Sequence, residues 1–133
     1  MYVFVYGTLT DRERVDEVLE TDTATFAGGA TLEGLHQVDG HYPTLAPGGR
    51  VVGRLLEVDD HALWRLDRYE GVDSGLYVRV TVPFETERGE AAVYVGDPRR
   101  LGLGDVDWPA GPTFESQVQR YVAEAGPTLV RGA

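Results

Sequence analysis

A chain of 133 residues with 42% hydrophobic and 10% aromatic side chains can bury a core and is too apolar to be a disordered segment, which predicts one globular domain over residues 1–133. Its formal net charge is -10, and all 12 basic side chains are arginine; this field repels phosphate backbones, so nucleic acid and anionic membrane surfaces are poor partners. The lack of cysteine excludes disulfides, thiolate catalysis and cysteine-ligated zinc.

No apolar run reaches the ~18 residues of a membrane helix, and Met1-Tyr2-Val3 carries no basic leader, which predicts a cytoplasmic protein. The acidic, lysine-free surface also reads as adaptation to a high-salt cytoplasm, where screening over a few ångströms makes dense carboxylates tolerable.

Tyr2 to Tyr6 is β-branched and aromatic without polar alternation, which predicts a strand buried on both faces, ended by Gly7. Thr10-Asp11-Arg12-Glu13 fits a capping box opening a short helix to about Glu20, with Val15, Val18 and Leu19 on its apolar face. Tyr6 to Leu9 is then a tight strand-to-helix turn. Its outward N–H groups, at the positive end of a helix dipole, offer a seat for a carboxylate or oxyanion; the alternative is that Gly7 merely turns the chain.

Thr23 to Phe26 and Ala30 to Val38 are strand-like, with bends or a bulge at Gly28-Gly29 and Gly34. Residues 39–49 read as a turn-rich connection. Arg50 to Val58 is a densely apolar strand, and Asp59 or Asp60 caps a helix to about Tyr69 that Gly71 ends. Leu76 to Glu87 is a strand carrying Tyr77, Arg79 and Thr81 on one face; Pro83 argues for an edge, and Arg88-Gly89 for a hairpin into Glu90 to Val95. Gly96 to Gly111 is loop around Trp108. Thr113 caps a last helix with Phe114, Val118, Tyr121, Val122 and Ala125 on one stripe, stopped by Gly126-Pro127.

The second helix holds the least expected residue. On a helical wheel Glu70 falls between Leu63 and Leu66, on the apolar stripe, near the helix end where the dipole disfavours negative charge. Both effects raise its pKa, as suits a group that takes and returns protons near neutrality; the alternative is a structural carboxylate paired with an arginine such as Arg79. Asp67 reads as a polar or structural contact, Arg65 and Arg68 as solvated charges, and Trp64 and Tyr69 as packing. His36, His41 and His61 are scattered without metal-ligand spacing, and neither Ser74 nor Ser116 sits in a nucleophile motif.

Tyr6-Gly7-Thr8-Leu9 after the first strand, Tyr42-Pro43 in a mid-chain loop, Leu66-Asp67-Arg68-Tyr69-Glu70-Gly71 at a helix end, and Tyr77-Val78-Arg79 in the next strand together resemble the gamma-glutamylcyclotransferase-like family over residues 2 to about 96. The resemblance implies an α+β fold, a small mixed barrel-like β-sheet with flanking helices, and a cavity between the first turn and the second helix. It implies that Tyr6, Gly7, Thr8 and Leu9 hold a small-molecule gamma-glutamyl substrate and that Glu70 is the catalytic acid/base. The implied products are 5-oxoproline and a free amine or amino acid, with no metal or cofactor required. Tyr42, Tyr77 and the Gly96 to Gly111 loop are candidate pocket walls, with packing as the equal alternative. The tail from Leu101 matches no motif. Competing readings are a non-catalytic protein of the same fold that binds a carboxylate-bearing metabolite, a protein of that fold with another acyl-transfer or amide-cleaving role, and an interaction protein whose acidic surface meets a basic partner.

Overall fold

A computed structural model describes residues 1–19, 24–104 and 106–132, the side chain of Thr8 excepted. Among the described residues nine strands and α-helices follow one another: β1 (Tyr2–Val5), α1 (Arg12–Leu19), β2 (Ala24–Asp39), β3 (Pro43–Val58), α2 (Asp60–Glu70), β4 (Tyr77–Pro83), β5 (Glu90–Gly96), α3 (Phe114–Ala125) and β6 (Thr128–Arg131). A single 3-10 turn, Thr8–Thr10, joins β1 to α1. The expected helix end at Glu20 and strand start at Thr23 lie outside the described residues.

The six strands form one mixed sheet in the order β4-β5-β1-β3-β2-β6. β1 lies inside it, antiparallel to β3 and parallel to β5. That central place explains its unbroken apolar sequence: Phe4 enters the cluster on one face with Leu32, Leu55, Val93 and Val118, while Val3 and Val5 enter the other with Val15, Leu56 and Leu66. β2 and β3 make a long antiparallel hairpin whose register slips between Phe26 and Gly29 and between Glu33 and Leu35, where the glycines at 28, 29 and 34 predicted bends. The sheet curls until its two edges meet. Phe84 bridges Leu129 in parallel, and the Glu85 amide donates to the Leu129 carbonyl at 2.9 Å, giving the barrel-like mixed sheet that the family resemblance implies.

Helices α1 and α2 share one apolar cluster on the outer face through Val15, Leu19, Ala62 and Leu66. Each fully buried leucine there contributes about 1.5–3 kcal/mol. α3 seals the opposite side: its Val118 is fully buried, and Phe114 and Tyr121 meet the Trp108 ring edge-on at 5.8 and 5.5 Å. Thr113 caps α3 through the Ser116 amide at 3.1 Å.

Several expectations change. The α1 cap is Asp11, whose carboxylate accepts from the Glu13 amide at 3.1 Å; the Thr10 hydroxyl instead donates to the Gly7 carbonyl at 2.7 Å, closing the 3-10 turn. Residues 43–49 are strand, paired with β2 from Asp39↔Pro43 onward, so the turn-rich connection shrinks to residues 40–42. β4 stops at Pro83 and joins β5 through residues 84–89 rather than by a tight turn at Arg88-Gly89. β6 was not expected at all. Trp64 is not core packing but half exposed, stacked on His61 with the Arg68 guanidinium 4.9 Å above its ring.

Candidate active site

A cavity of about 410 Å3 opens between the turn after β1, the residues 42–43 at the start of β3, and the C-terminal end of α2. Its floor is Phe4, Val5, Tyr6, Gly7 and Leu9; Tyr42, Pro43, Tyr69, Glu70, Tyr77 and Tyr94 form its walls, with Arg14 on the α1 side. Of the residues expected to hold substrate, Tyr6, Gly7, Leu9, Tyr42 and Tyr77 all line this space. Thr8 stands in the same 3-10 turn, and its side chain lies outside the described residues. The Gly96 to Gly111 loop does not reach this cavity. Its residues line a separate recess of about 220 Å3 beside the N-terminus of α3, and Asp105 is outside the described residues.

The floor is set by β1. Because Val3 and Val5 anchor one face of the sheet and Phe4 the other, the chain leaves β1 in a fixed direction at Tyr6. The Tyr6 hydroxyl donates to the Tyr94 carbonyl at 2.6 Å, and burial pushes its pKa well above the ordinary phenol value. Arg54 of β3 holds the far end of the turn: it donates to the Thr10 carbonyl at 3.0 Å while its guanidinium lies 3.6 Å above the Phe26 ring. Gly7 does not adopt a left-handed conformation, and a Cβ there would meet Pro43 at an ordinary 3.6 Å. Sterically, then, the backbone would accept alanine; what glycine leaves is open space at the cavity floor.

The wall bearing Glu70 is set by how α2 ends. Asp59 starts the helix by accepting from the Ala62 amide at 2.8 Å. Gly71, at φ 71° in the left-handed region, closes it: the Gly71 amide donates to Arg68 at 3.2 Å and the Val72 amide to Asp67 at 3.0 Å. Glu70 is therefore the last helical residue and turns into the cavity. Among the described residues no arginine pairs with it, and burial pushes its carboxyl from 4.5 up to about 7.

Asp67, one turn earlier, has what Glu70 lacks. Arg79 donates to both of its carboxylate oxygens, at 3.2 and 3.0 Å, and the Tyr94 hydroxyl donates to Oδ1 at 2.6 Å. The alternative pairing of Arg79 with Glu70 is thus replaced by a pair with Asp67, which holds the polar role expected of it. Arg79 and Tyr94 are register partners across β4 and β5, so the sheet presents both side chains to the same carboxylate. Burial, then the Asp67 hydrogen bond, raises the Tyr94 hydroxyl pKa; burial and the Glu70 charge raise that of Tyr77, whose hydroxyl donates to the Pro43 carbonyl at 2.5 Å.

Sequence reasoning missed Tyr94, Tyr69 and Arg14. Tyr94 is the only polar side chain between Ala91 and Val95, and that was the available signal. Tyr69, expected to pack, is instead 43% exposed and forms part of the cavity rim. Arg14 lies on the polar side of α1, its Nη1 3.8 Å from Glu17, and nothing in the periodicity marks it. Among the described residues no cluster of three histidine, aspartate or glutamate side chains is placed to hold a metal ion, and no helix is long and apolar enough to cross a membrane.

The architecture has counterparts among solved structures. A protein described as gamma-glutamyl cyclotransferase superposes with a TM-score of 0.65 at 21% identity, over 95% of this chain and 80% of that one. An AIG2-like protein from Mus musculus gives 0.58 at 26% identity, covering 86% and 88%. An uncharacterized protein from Pyrococcus horikoshii gives 0.58 at 24%, covering 88% and 87%. No curated protein sequence matches the chain. The sequence profile described as gamma-glutamyl cyclotransferase, AIG2-like matches residues 3–110, the stretch that builds the turn, the Glu70 helix and the strands behind it, and the chain belongs to that family.

Proposed function

We propose that the chain is a cyclotransferase that closes the gamma-glutamyl part of a small conjugate into 5-oxoproline and releases an amine or amino acid. The observation that carries this reading is Glu70: a carboxyl at the wall of an aromatic cavity, without a basic partner among the described residues, and tuned by burial to about 7. Family membership supports the reaction class. The substrate's alpha-carboxylate and gamma-carbonyl lie against the amides of the Tyr6 to Leu9 turn. Tyr42 and Tyr77 flank the conjugate.

Glu70, ionised, takes a proton from the alpha-ammonium. The freed amine attacks the gamma-carbonyl carbon of the same molecule and forms the C–N bond of a five-membered lactam, so the substrate itself supplies most of the proximity. Turn amides stabilise the tetrahedral oxyanion, commonly worth about 3–4 kcal/mol per donor. As the oxyanion collapses, the bond to the leaving nitrogen breaks. Glu70 relays to that nitrogen both the proton taken first and the one the attacking nitrogen sheds, and it departs as an ammonium.

The test is 5-oxoproline release, read by mass spectrometry, from gamma-glutamyl amino acids, gamma-glutamyl amines and glutathione, with Glu70→Gln alongside. Release that disappears in the variant is the expected outcome. No release across the panel from folded protein would overturn the reading in favour of a carboxylate-binding protein, which should bind the same compounds in both forms.

A further inference from the structure

Tyr94 ties the floor of the cavity to the wall that carries Glu70. Its main-chain carbonyl accepts from the Tyr6 hydroxyl at 2.6 Å, fixing the turn after β1. Its own hydroxyl, at the other end of the ring, donates at 2.6 Å to Asp67, three residues before Glu70 on α2. The ring between these anchors is 3% exposed and packed in the outer-face cluster with Val3, Val5 and Leu66. Rigid, buried and hydrogen-bonded at both ends, it spans the gap from the amides of the turn to the helix end that carries the carboxyl.

From this geometry we infer that Tyr94 is a positioning residue: with Asp67 and Arg79 it sets the distance and orientation between the turn at Tyr6–Leu9 and the Glu70 carboxyl. The inference rests on the cyclotransferase reading of this cavity. Asp67 is the handle by which the sheet holds α2. Arg79 grips both of its oxygens and balances its charge, so the aspartate is held without leaving an unbalanced negative charge one turn from Glu70. Tyr94 adds a neutral donor from β5, the strand adjacent to β1, and so ties the helix to the same backbone position that anchors Tyr6. The ionisable groups facing Glu70 are Tyr6 at the end of β1, Tyr77 on β4 and Tyr94 on β5; Asp67 stands one turn earlier on the same helix, turned to the sheet, and Arg14 of α1, Tyr42 and Tyr69 line the same cavity. Removing the Tyr94 hydroxyl changes no charge among them. A change in Glu70 chemistry after that removal therefore reports position.

The experiment is Tyr94→Phe in the full chain, with 5-oxoproline release followed across pH and the Glu70 carboxyl titrated by carbon-13 NMR. A loose helix end misplaces the carboxyl and lets water reach it. The expected result is a kcat about ten- to a hundredfold lower with KM little changed, as misplacement by about an ångström produces. The Glu70 titration, and with it the acidic limb of the rate profile, should move down toward the ordinary carboxyl range. A tyrosine that only stabilised the fold would lower Tm and leave kcat and both titrations in place, and that result overturns the inference. If the wild-type chain releases no 5-oxoproline, the cyclotransferase reading fails separately; the NMR titration still decides positioning, by a shifted Glu70 or an identical one. Should Tyr94→Phe not fold, Asp67→Asn weakens the same link by removing its charge assistance. It should give the same split of kcat from KM, and wild-type kcat and KM in that variant would overturn the inference.

Discussion

Asp67 and Glu70 stand one turn apart on the same helix, carry the same chemical group and meet opposite surroundings. Asp67 receives two bonds from Arg79 and one from Tyr94, all delivered by the sheet beneath. Glu70, last in the helix, faces an aromatic cavity with no basic partner among the described residues. The difference teaches how a fold assigns roles to identical groups: the carboxylate above paired strands is spent on holding the helix, and the one overhanging the cavity is left to titrate near neutrality.

The sharpest way to break the comparison is to remove the titrating member. Glu70→Gln should cost about a hundred- to ten-thousandfold in kcat, the usual worth of a positioned acid/base, and retain the circular dichroism of the wild type. Next in size is the arginine that separates the two fates. Arg79→Met leaves Asp67 with only the Tyr94 hydroxyl and should lower stability by about 1–3 kcal/mol in urea unfolding. It should also raise the Glu70 titration above its present value of about 7, because the Asp67 charge one turn away is no longer balanced.

Changing the residue that ends the helix acts on both carboxylates together. Gly71→Ala forces a Cβ into the left-handed region, and against Ser74 Oγ at 3.1 Å, with an expected loss of about 1–2 kcal/mol by the same measurement.

A smaller effect follows from proton linkage. Glu70 binds its proton more tightly folded than unfolded, since its pKa is raised from 4.5 to about 7. The native state therefore holds more protons across that interval, and stability falls as pH rises through it. Glu70→Gln lacks the titration, so its Tm advantage over wild type should be greatest above pH 7 and shrink toward pH 4.5.

The smallest effect concerns the surface. If the net charge of -10 reflects adaptation to high salt, molar salt should raise the Tm of both proteins alike, without moving the Glu70 difference. Full stability in dilute buffer with no gain in salt would remove that idea.

Elements whose ends are marked by side chains were legible in the sequence. Asp59, one of two adjacent aspartates the sequence offers as cap, with Gly71, and Thr113 with Gly126, bracket α2 and α3, because capping is a local hydrogen bond between near neighbours. Glu70 was legible for a related reason: helical periodicity alone places it among leucines. Strand pairing is not local. The first half of β3 carries Pro43, Pro47, Gly48 and Gly49, which read as turn, and only the register against residues 33–39 of β2 makes it sheet. Thr128–Arg131, a four-residue strand behind Pro127, has no pattern of its own and exists because β2 offers it an edge. The choice of Asp67 over Glu70 by Arg79 was hidden for the same cause, since it depends on Arg79 standing opposite Tyr94 across two strands.

The central place of β1 carries a kinetic consequence. Residues 2–5 take one neighbour from 54–57, while 2–4 take the other from 91–93, so the strand that ends in the Tyr6–Leu9 turn cannot be satisfied by anything near it in the chain. Loop closure over such separations is slow, whereas the local β2–β3 and β4–β5 hairpins can form early. β1 should then be inserted after those hairpins, into the slot between them, so the cavity with its turn and its Tyr94 anchor should form only once both are in place.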